Sequence, residues 1–164
     1  MAKIIVIYGS STGACEGFAN QIAAKLDAEA VEVSTVTTEQ LEEADVLVLG
    51  SSTWGLGELQ DDWYDGVNTL KEANLNGKKV ALFGCGDASS YPDTFCDAIG
   101  LIYQEIENAG CEFVGAVSTD GYSFDSSVSV VDGNFIGLAL DDVNDGDLND
   151  ERIENWVAQI KPLF

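Results

Sequence analysis

Ser10, Ser11 and Thr12, followed by Gly13, Ala14 and Cys15, set hydroxyls, a glycine and a thiol in consecutive positions. Before them lies an apolar β-branched run, Lys3 to Ile7. After them Phe18, Ala19, Ile22, Ala23 and Leu26 recur at helical spacing. A hydroxyl-rich loop between a strand and a helix start offers side-chain donors and backbone N–H groups without helical acceptors. Both favour an anion, most simply a phosphate. Two further loops combine small residues with one aromatic each. The first contains Ser52, Thr53, Trp54, Gly55 and Leu56, and the second contains Cys85, Gly86, Asp87 and Tyr91. Aromatic planes on two loops at one edge can sandwich a flat conjugated ring. A phosphate below a planar ring describes flavin mononucleotide (FMN) or another nucleotide.

The elements that must position these loops follow from hydrophobic periodicity. The spacing predicts a strand over 3–8, a helix over 15–27, a short strand over 30–34 and a brief helix from Thr38 to Glu42. A buried strand over 45–50 and a helix over 59–72 follow, then a strand over 79–84. Pro92 is expected to open a helix running to Asn108, with Gly110 as its stop. A fifth strand begins over 112–117, and a polar stretch from Ser118 to Gly133 precedes a strand over 135–140. An acidic loop bearing Asp141, Asp142, Asp145 and Asp147 leads to a last helix over 150–161. Alternating strands and helices with continuous apolar strands specify an α/β fold, a doubly wound five-stranded parallel sheet covered on both faces. In such sheets ligands sit at the carboxyl ends of the strands. All three loops emerge there.

Composition narrows the chemistry. With 7 basic against 29 acidic residues the formal charge is −22, which excludes nucleic acid and anionic membranes as expected partners. Fast, salt-sensitive docking to basic proteins is expected instead. The length of 164 residues suits a single domain over 1–164, and no apolar run is long enough to span a bilayer. A cytoplasmic protein is expected, since Cys15, Cys85, Cys96 and Cys111 lack disulfide-framework or zinc spacing. No metal site is expected.

Rival readings fail on named residues. Gly9-Ser10-Ser11-Thr12-Gly13 fits the G-x-S-x-G elbow of serine hydrolases, but the chain has no histidine to act as base. Gly13-Ala14-Cys15 lacks the lysine and hydroxyl of a P-loop, and the glycines do not form G-x-G-x-x-G. A response-regulator receiver would carry its acidic cluster where Tyr8, Gly9 and Ser51 stand. Glu58, Asp61 and Asp62 read as the first turn of a helix, and Asp141 to Glu151 as a solvated loop without calcium-loop register.

The motifs together resemble the flavodoxin family, long-chain type, over nearly the whole chain. The family's phosphate loop, T/S-x-T-G-x-T, is matched by Ser10 to Ala14, with Cys15 in the last place. Its Thr-Trp loop is matched by Thr53-Trp54-Gly55, and its G-x-G-D…Y loop by Gly84 to Asp87 with Tyr91. The stretch from Ser118 to Leu140 resembles the insertion that splits the fifth strand. The resemblance implies strand order 2-1-3-4-5 and non-covalent FMN. It places the cofactor among Ser10, Ser11, Thr12, Gly13, Ala14, Cys15, Ser52, Thr53, Trp54, Gly55, Leu56, Cys85, Gly86, Asp87, Tyr91 and Cys96. Trp54 would cover the inner face of the ring and Tyr91 the outer face. The implied function is a low-potential one-electron carrier between semiquinone and hydroquinone, without a substrate of its own and with no catalytic residues. Implied partners are ferredoxin/flavodoxin-NADP reductase and iron–sulfur oxidoreductases with basic faces, met by a monomer. An FMN-dependent reductase acting on a quinone is the alternative. Cys15 departs from the pattern, because a thiol donates more weakly than the family's threonine hydroxyl.

Overall fold

The computed structural model describes residues 3–9, 13–54 and 57–164, with Trp54 described through its backbone only. In chain order the elements are β1 (Ile4–Gly9), α1 (Ala14–Leu26), β2 (Glu29–Glu32), α2 (Thr38–Glu43), β3 (Val46–Trp54), β4 (Glu58–Leu59) and α3 (Asp62–Glu72). They continue with β5 (Lys79–Gly86), α4 (Asp97–Ile106), β6 (Glu112–Val114), β7 (Val117–Ser118), β8 (Val130–Val131), β9 (Asn134–Phe135), β10 (Leu138–Asp141) and α5 (Gly146–Ile160).

Alternate residues of each central strand face opposite helix layers. Ile5 and Ile7, Leu47 and Leu49, and Val80 and Leu82 pack with Trp63 and Leu70 of α3 and Ile99 and Ile102 of α4. Val6 and Tyr8, Val46 and Val48, and Ala81 and Phe83 pack with Ala19 and Ile22 of α1 and Ile153 and Trp156 of α5. Two apolar faces per strand are why these segments read as unbroken apolar runs. The parallel order is β2-β1-β3-β5, and the position beyond β5 is shared by β6 and β10. β6 pairs with the start of β5, with Lys79 opposite Glu112, and β10 pairs with its end, with Phe83 opposite Leu138. The fifth strand is therefore split, and the expected order 2-1-3-4-5 is the observed one.

The excursion between the two halves folds into a small antiparallel sheet in the order β7-β9-β8. The expected strand over 112–117 stops at Val114 because Gly115 takes φ +89 beside the Trp156 indole, whose Nε1 donates to the Gly115 carbonyl at 2.8 Å. The expected strand over 135–140 is two strands in different sheets, because Asn134–Phe135 pairs with β7 and β8.

Three helix starts differ from expectation. Leu59 is not helical: it pairs with Thr53 and Glu58 with Trp54, so α3 begins at Asp62. Pro92 does not open α4. Its carbonyl accepts from the Asp125 and Ser126 amides, and Cys96, at φ +53, delays the helix to Asp97. The last helix starts earlier than expected, at Gly146, with Asp145 as its N-cap. The second strand ends at Glu32, and Val33–Thr35 form a single 3₁₀ turn. Thr37 caps α2 reciprocally with Gln40.

Glycines are demanded where layers touch. A Cβ on Gly9 would lie within 2.6 Å of Trp63 Cδ1, and one on Gly50 would enter the Phe83 ring. Among the described residues no helix is long and apolar enough to cross a membrane.

Candidate functional site

β1, β3, β5 and β10 all end at one edge of the sheet, in register: Gly9 lies opposite Ser51, Ser51 opposite Gly84, and Asp141 opposite Gly86. The loops singled out by their residue types leave from these ends. Ser10, Ser11, Thr12, Gly55, Leu56 and the side chain of Trp54 lie outside the described residues. Gly13, Ala14, Cys15, Ser52, Thr53, Cys85, Gly86, Asp87, Tyr91 and Cys96 can be placed.

Gly13 is the N-cap of α1, with φ +92 and no side-chain cap. The positive end of the helix therefore opens toward the loop that follows β1, and its first-turn amides are the donors available to an anion. Cys15 belongs to that turn, but its side chain is fully buried against Cys85. The hydrogen bond between the two thiols, with burial, pushes Cys85 well above the ordinary thiol range. Both are packing residues in the core shared by α1 and α5.

The second loop is tied down at its base. Ser51 is fully buried, donates to the Ser52 carbonyl at 2.9 Å and accepts from the Gln60 amide at 3.2 Å. Thr53 Oγ1 accepts from the Ala98 amide at 3.0 Å, which joins β3 to the start of α4. Gly57, at φ +93, closes the return, and a Cβ there would lie 2.6 Å from the Asp97 carboxyl. Burial raises the pKa of that carboxyl, against a hydrogen bond from the Val128 amide at 2.9 Å.

The third loop turns on Asp87. One oxygen, Oδ1, accepts from the Ser89 amide at 3.0 Å, the Ser90 amide at 3.1 Å and the Asn144 amide group at 2.8 Å. The bond from Asn144 is the main reason that Asp87 titrates below the ordinary carboxylate range. Tyr91 donates its amide to the Asp87 carbonyl at 2.9 Å, and its side chain is 45% exposed. Gly86 suits a tight approach: a Cβ would lie 3.0 Å from the Cys96 amide nitrogen. Cys96 itself is fully buried, its thiol donating to the Leu140 carbonyl at 3.4 Å, so it packs under the loops and not on their open side.

The acidic segment from Asp141 to Glu151 is mostly exposed, as expected, but Asp141 and Asn149 turn inward and the chain is helical from Gly146. Asp141 is fully buried, and its carboxyl accepts from the Ala88, Val143 and Asn144 amides and from Asn144 Nδ2. Asn149 completes the lock, accepting from the Asp141 amide and donating to its carbonyl. Sequence reading missed Asp141, Asn144 and Asn149, because a run of aspartates carries no signal for which one turns inward. Among the described residues no acidic or cysteine cluster has metal-site geometry. Glu58, expected in a helical first turn, lies instead in β4.

An open parallel sheet with helices on both faces, and with these loops leaving its carboxyl edge, defines a doubly wound α/β type of protein. The sequence profile described as Flavodoxin matches residues 6–156. A flavodoxin of Nostoc sp. is 42% identical over 165 residues, covering 99% of this chain and 97% of the relative. Flavodoxin 1 of Escherichia coli is 43% identical over 164 residues, covering 98% and 93%. Among solved structures, the Fusobacterium nucleatum flavodoxin bound to flavin mononucleotide superposes with a TM-score of 0.93 at 31% identity, covering 100% of this chain and 99% of that one. The chain belongs to the flavodoxin family.

Proposed function

We propose that this chain, as a single domain over 1–164, carries electrons one at a time on non-covalently bound FMN and delivers them to redox partner proteins. The convergence of the three loops at one sheet edge, in a member of the flavodoxin family, carries this reading. The residues fit the cofactor. A helix start opened by Gly13 suits a phosphate, and the half-exposed Tyr91 suits a flat ring. When bound, FMN supplies reversible one-electron chemistry that no side chain here could provide.

The chain's own residues bind and tune. Ser10, Ser11 and Thr12 with the amides of Gly13, Ala14 and Cys15 hold the phosphate, a role that needs no cation. Arg152, the only arginine, is engaged elsewhere, with Asp145 at 2.9 Å and over the Tyr122 ring. Ser52, Thr53, Trp54, Gly55 and Leu56 would hold one face of the ring, and Gly86, Asp87 and Tyr91 the other. The Gly55 peptide, free of a Cβ, can turn its carbonyl toward the ring edge at little cost. A surface of −22 opposes further negative charge at the site, which lowers the potential of the second electron. At about 59 mV per 1.4 kcal/mol, a few kcal/mol of repulsion lowers it by roughly 100–200 mV.

Partners are basic-faced proteins such as ferredoxin/flavodoxin-NADP reductase and iron–sulfur oxidoreductases, met by a cytoplasmic monomer, with neither nucleic acid nor membrane involved. The quinone-reductase reading is not favoured by family membership, and Tyr91 over the outer face would obstruct a small substrate.

Anaerobic reductive titration of the purified protein tests the function. Two resolved one-electron steps are expected, the second at low potential. A single two-electron step would move the assignment to the reductase, and a protein that cannot be loaded with FMN would remove the reading.

A further inference from the structure

Asp87 and Asp141 approach each other from different elements, and one side chain lies between them. Asn144 Nδ2 donates to Asp87 Oδ1 at 2.8 Å and to Asp141 Oδ2 at 2.9 Å. Its Oδ1 accepts from Ser89 Oγ at 2.9 Å. One amide group thus satisfies two carboxyls and a hydroxyl. It also joins the loop after β10 to the loop that presents Tyr91.

The anchor beneath this bridge is firm. Asp141 is fully buried in β10 and bonded on both sides of its backbone to Asn149 of α5. The Asp87 loop has a weaker hold on its own strand: beyond β5 its turn is made by Asp87 bonding to Ser89 and Ser90 just downstream. The Ala88 amide donates directly to Asp141 at 3.0 Å and Asn144 adds the other cross-links to this segment, while beyond Tyr91 the Pro92 and Asp93 carbonyls are held by Asp125 and Ser126. Two carboxyls this close repel unless a donor separates them. A neutral amide can do that without adding another charge to an already acidic edge.

We propose that Asn144 is a positioning residue for the cofactor: it fixes the Asp87–Tyr91 loop on β10 and so sets how Tyr91 meets the outer face of the ring. The proposal rests on the reading that Tyr91 covers bound FMN. Asn144 is exposed, so replacing it leaves no cavity in the core, whereas replacing the fully buried Asp141 would strip the Ala88, Val143 and Asn144 amides of their shared acceptor.

Purified, FMN-loaded wild type is compared with Asn144→Ala, Asn144→Asp, Val143→Ala and Tyr91→Ala. Hydrogen exchange at Ser89 and Ser90, the rate of FMN release and the midpoint potential of each electron are read for all of them. Asn144→Ala is expected to raise exchange at both amides and to speed FMN release by about tenfold, the effect of one or two lost hydrogen bonds to a carboxylate. Asn144→Asp has nearly the same size but no donor, and is expected to be at least as damaging. Val143→Ala, at an exposed neighbour, is expected to change nothing. A shift of the second potential in the Asn144 variants, in the direction Tyr91→Ala moves it, distinguishes positioning from simple loosening.

Unchanged exchange at Ser89 and Ser90 in both Asn144 variants would overturn the proposal. So would raised exchange with unaltered FMN release and potentials, provided Tyr91→Ala still weakens FMN. If Tyr91→Ala leaves FMN binding and both potentials untouched, the assignment of Tyr91 to the ring fails first, and the proposal fails with it.

Discussion

Cys15 shows how a single position can be read correctly by type and differently by direction. A thiol at the start of α1 stands where the family pattern has a threonine hydroxyl, within reach of a phosphate. The side chain is instead fully buried beside the Cys85 thiol, in the core between α1 and the sheet. The donors at this helix start are then backbone amides, which a side-chain change does not remove. Cys15→Ala is accordingly expected to leave the FMN dissociation constant within about tenfold of wild type, the limit set by one ordinary hydrogen bond. Fluorescence titration of FMN measures it. A loss beyond a hundredfold would assign the thiol a direct part in phosphate binding. The same variant is expected to lose about 1 kcal/mol of stability from the small cavity beside Cys85.

The element with most influence on the site is α4, whose first turn gathers two segments. Thr53 of β3 accepts from Ala98, the Val128 amide donates to Asp97, and Ser129 Oγ donates to the Cys96 carbonyl at 2.6 Å while accepting from the Gly100 amide at 2.8 Å. The excursion that splits the fifth strand is therefore packed onto the helix behind two of the loops of the candidate site. Gly100 permits this, since a Cβ there would lie 2.5 Å from the Val128 carbonyl oxygen. The buried Asp97 carboxyl makes the junction sensitive to pH. Burial raises its folded pKa, so the native protein holds that proton more tightly than the unfolded chain. Its stabilising contribution is complete below the unfolded carboxylate pKa and is lost as pH rises through the folded value. Asp97→Asn keeps the acceptor for Val128 without the charge. Urea unfolding from acid to neutral pH is expected to show the variant gaining on wild type through and above the carboxylate range. A constant difference across that range would mean that Asp97 does not carry this pH dependence.

At the scale of the whole molecule, the charge of −22 is the property on which the proposed encounter with basic partners rests. Long-range attraction to a basic partner raises association rates and is screened within about 8 Å at physiological ionic strength. The second-order rate of electron transfer to a basic redox partner is expected to fall at least about tenfold between low and high salt. Stopped-flow mixing of the reduced protein with ferredoxin/flavodoxin-NADP reductase measures it. A rate indifferent to salt would remove electrostatic docking. The same acidic excess explains why exposed pairs such as Lys3 with Glu43 at 3.2 Å matter little to the fold: screened and solvated, each contributes well under about 1 kcal/mol.

The sequence by itself determined the parallel sheet, the order of its elements and the three loops that share one edge. These follow from local causes: two-faced apolar strands, helical periodicity, and small residues gathered between them. Tertiary structure decided what local pattern does not encode. Whether Leu59 joins a helix or a strand depends on Thr53 lying opposite it, and whether Pro92 opens a helix depends on Asp125 and Ser126 bonding to its carbonyl. Residues 135–140 read as one strand, and only the neighbours available to each half separate them. Asp141, Asn144 and Asn149 were hidden for the same reason. An aspartate is exposed by default, and Asp141 becomes a buried anchor because the amides of its own turn and that of the distant Ala88 converge on it.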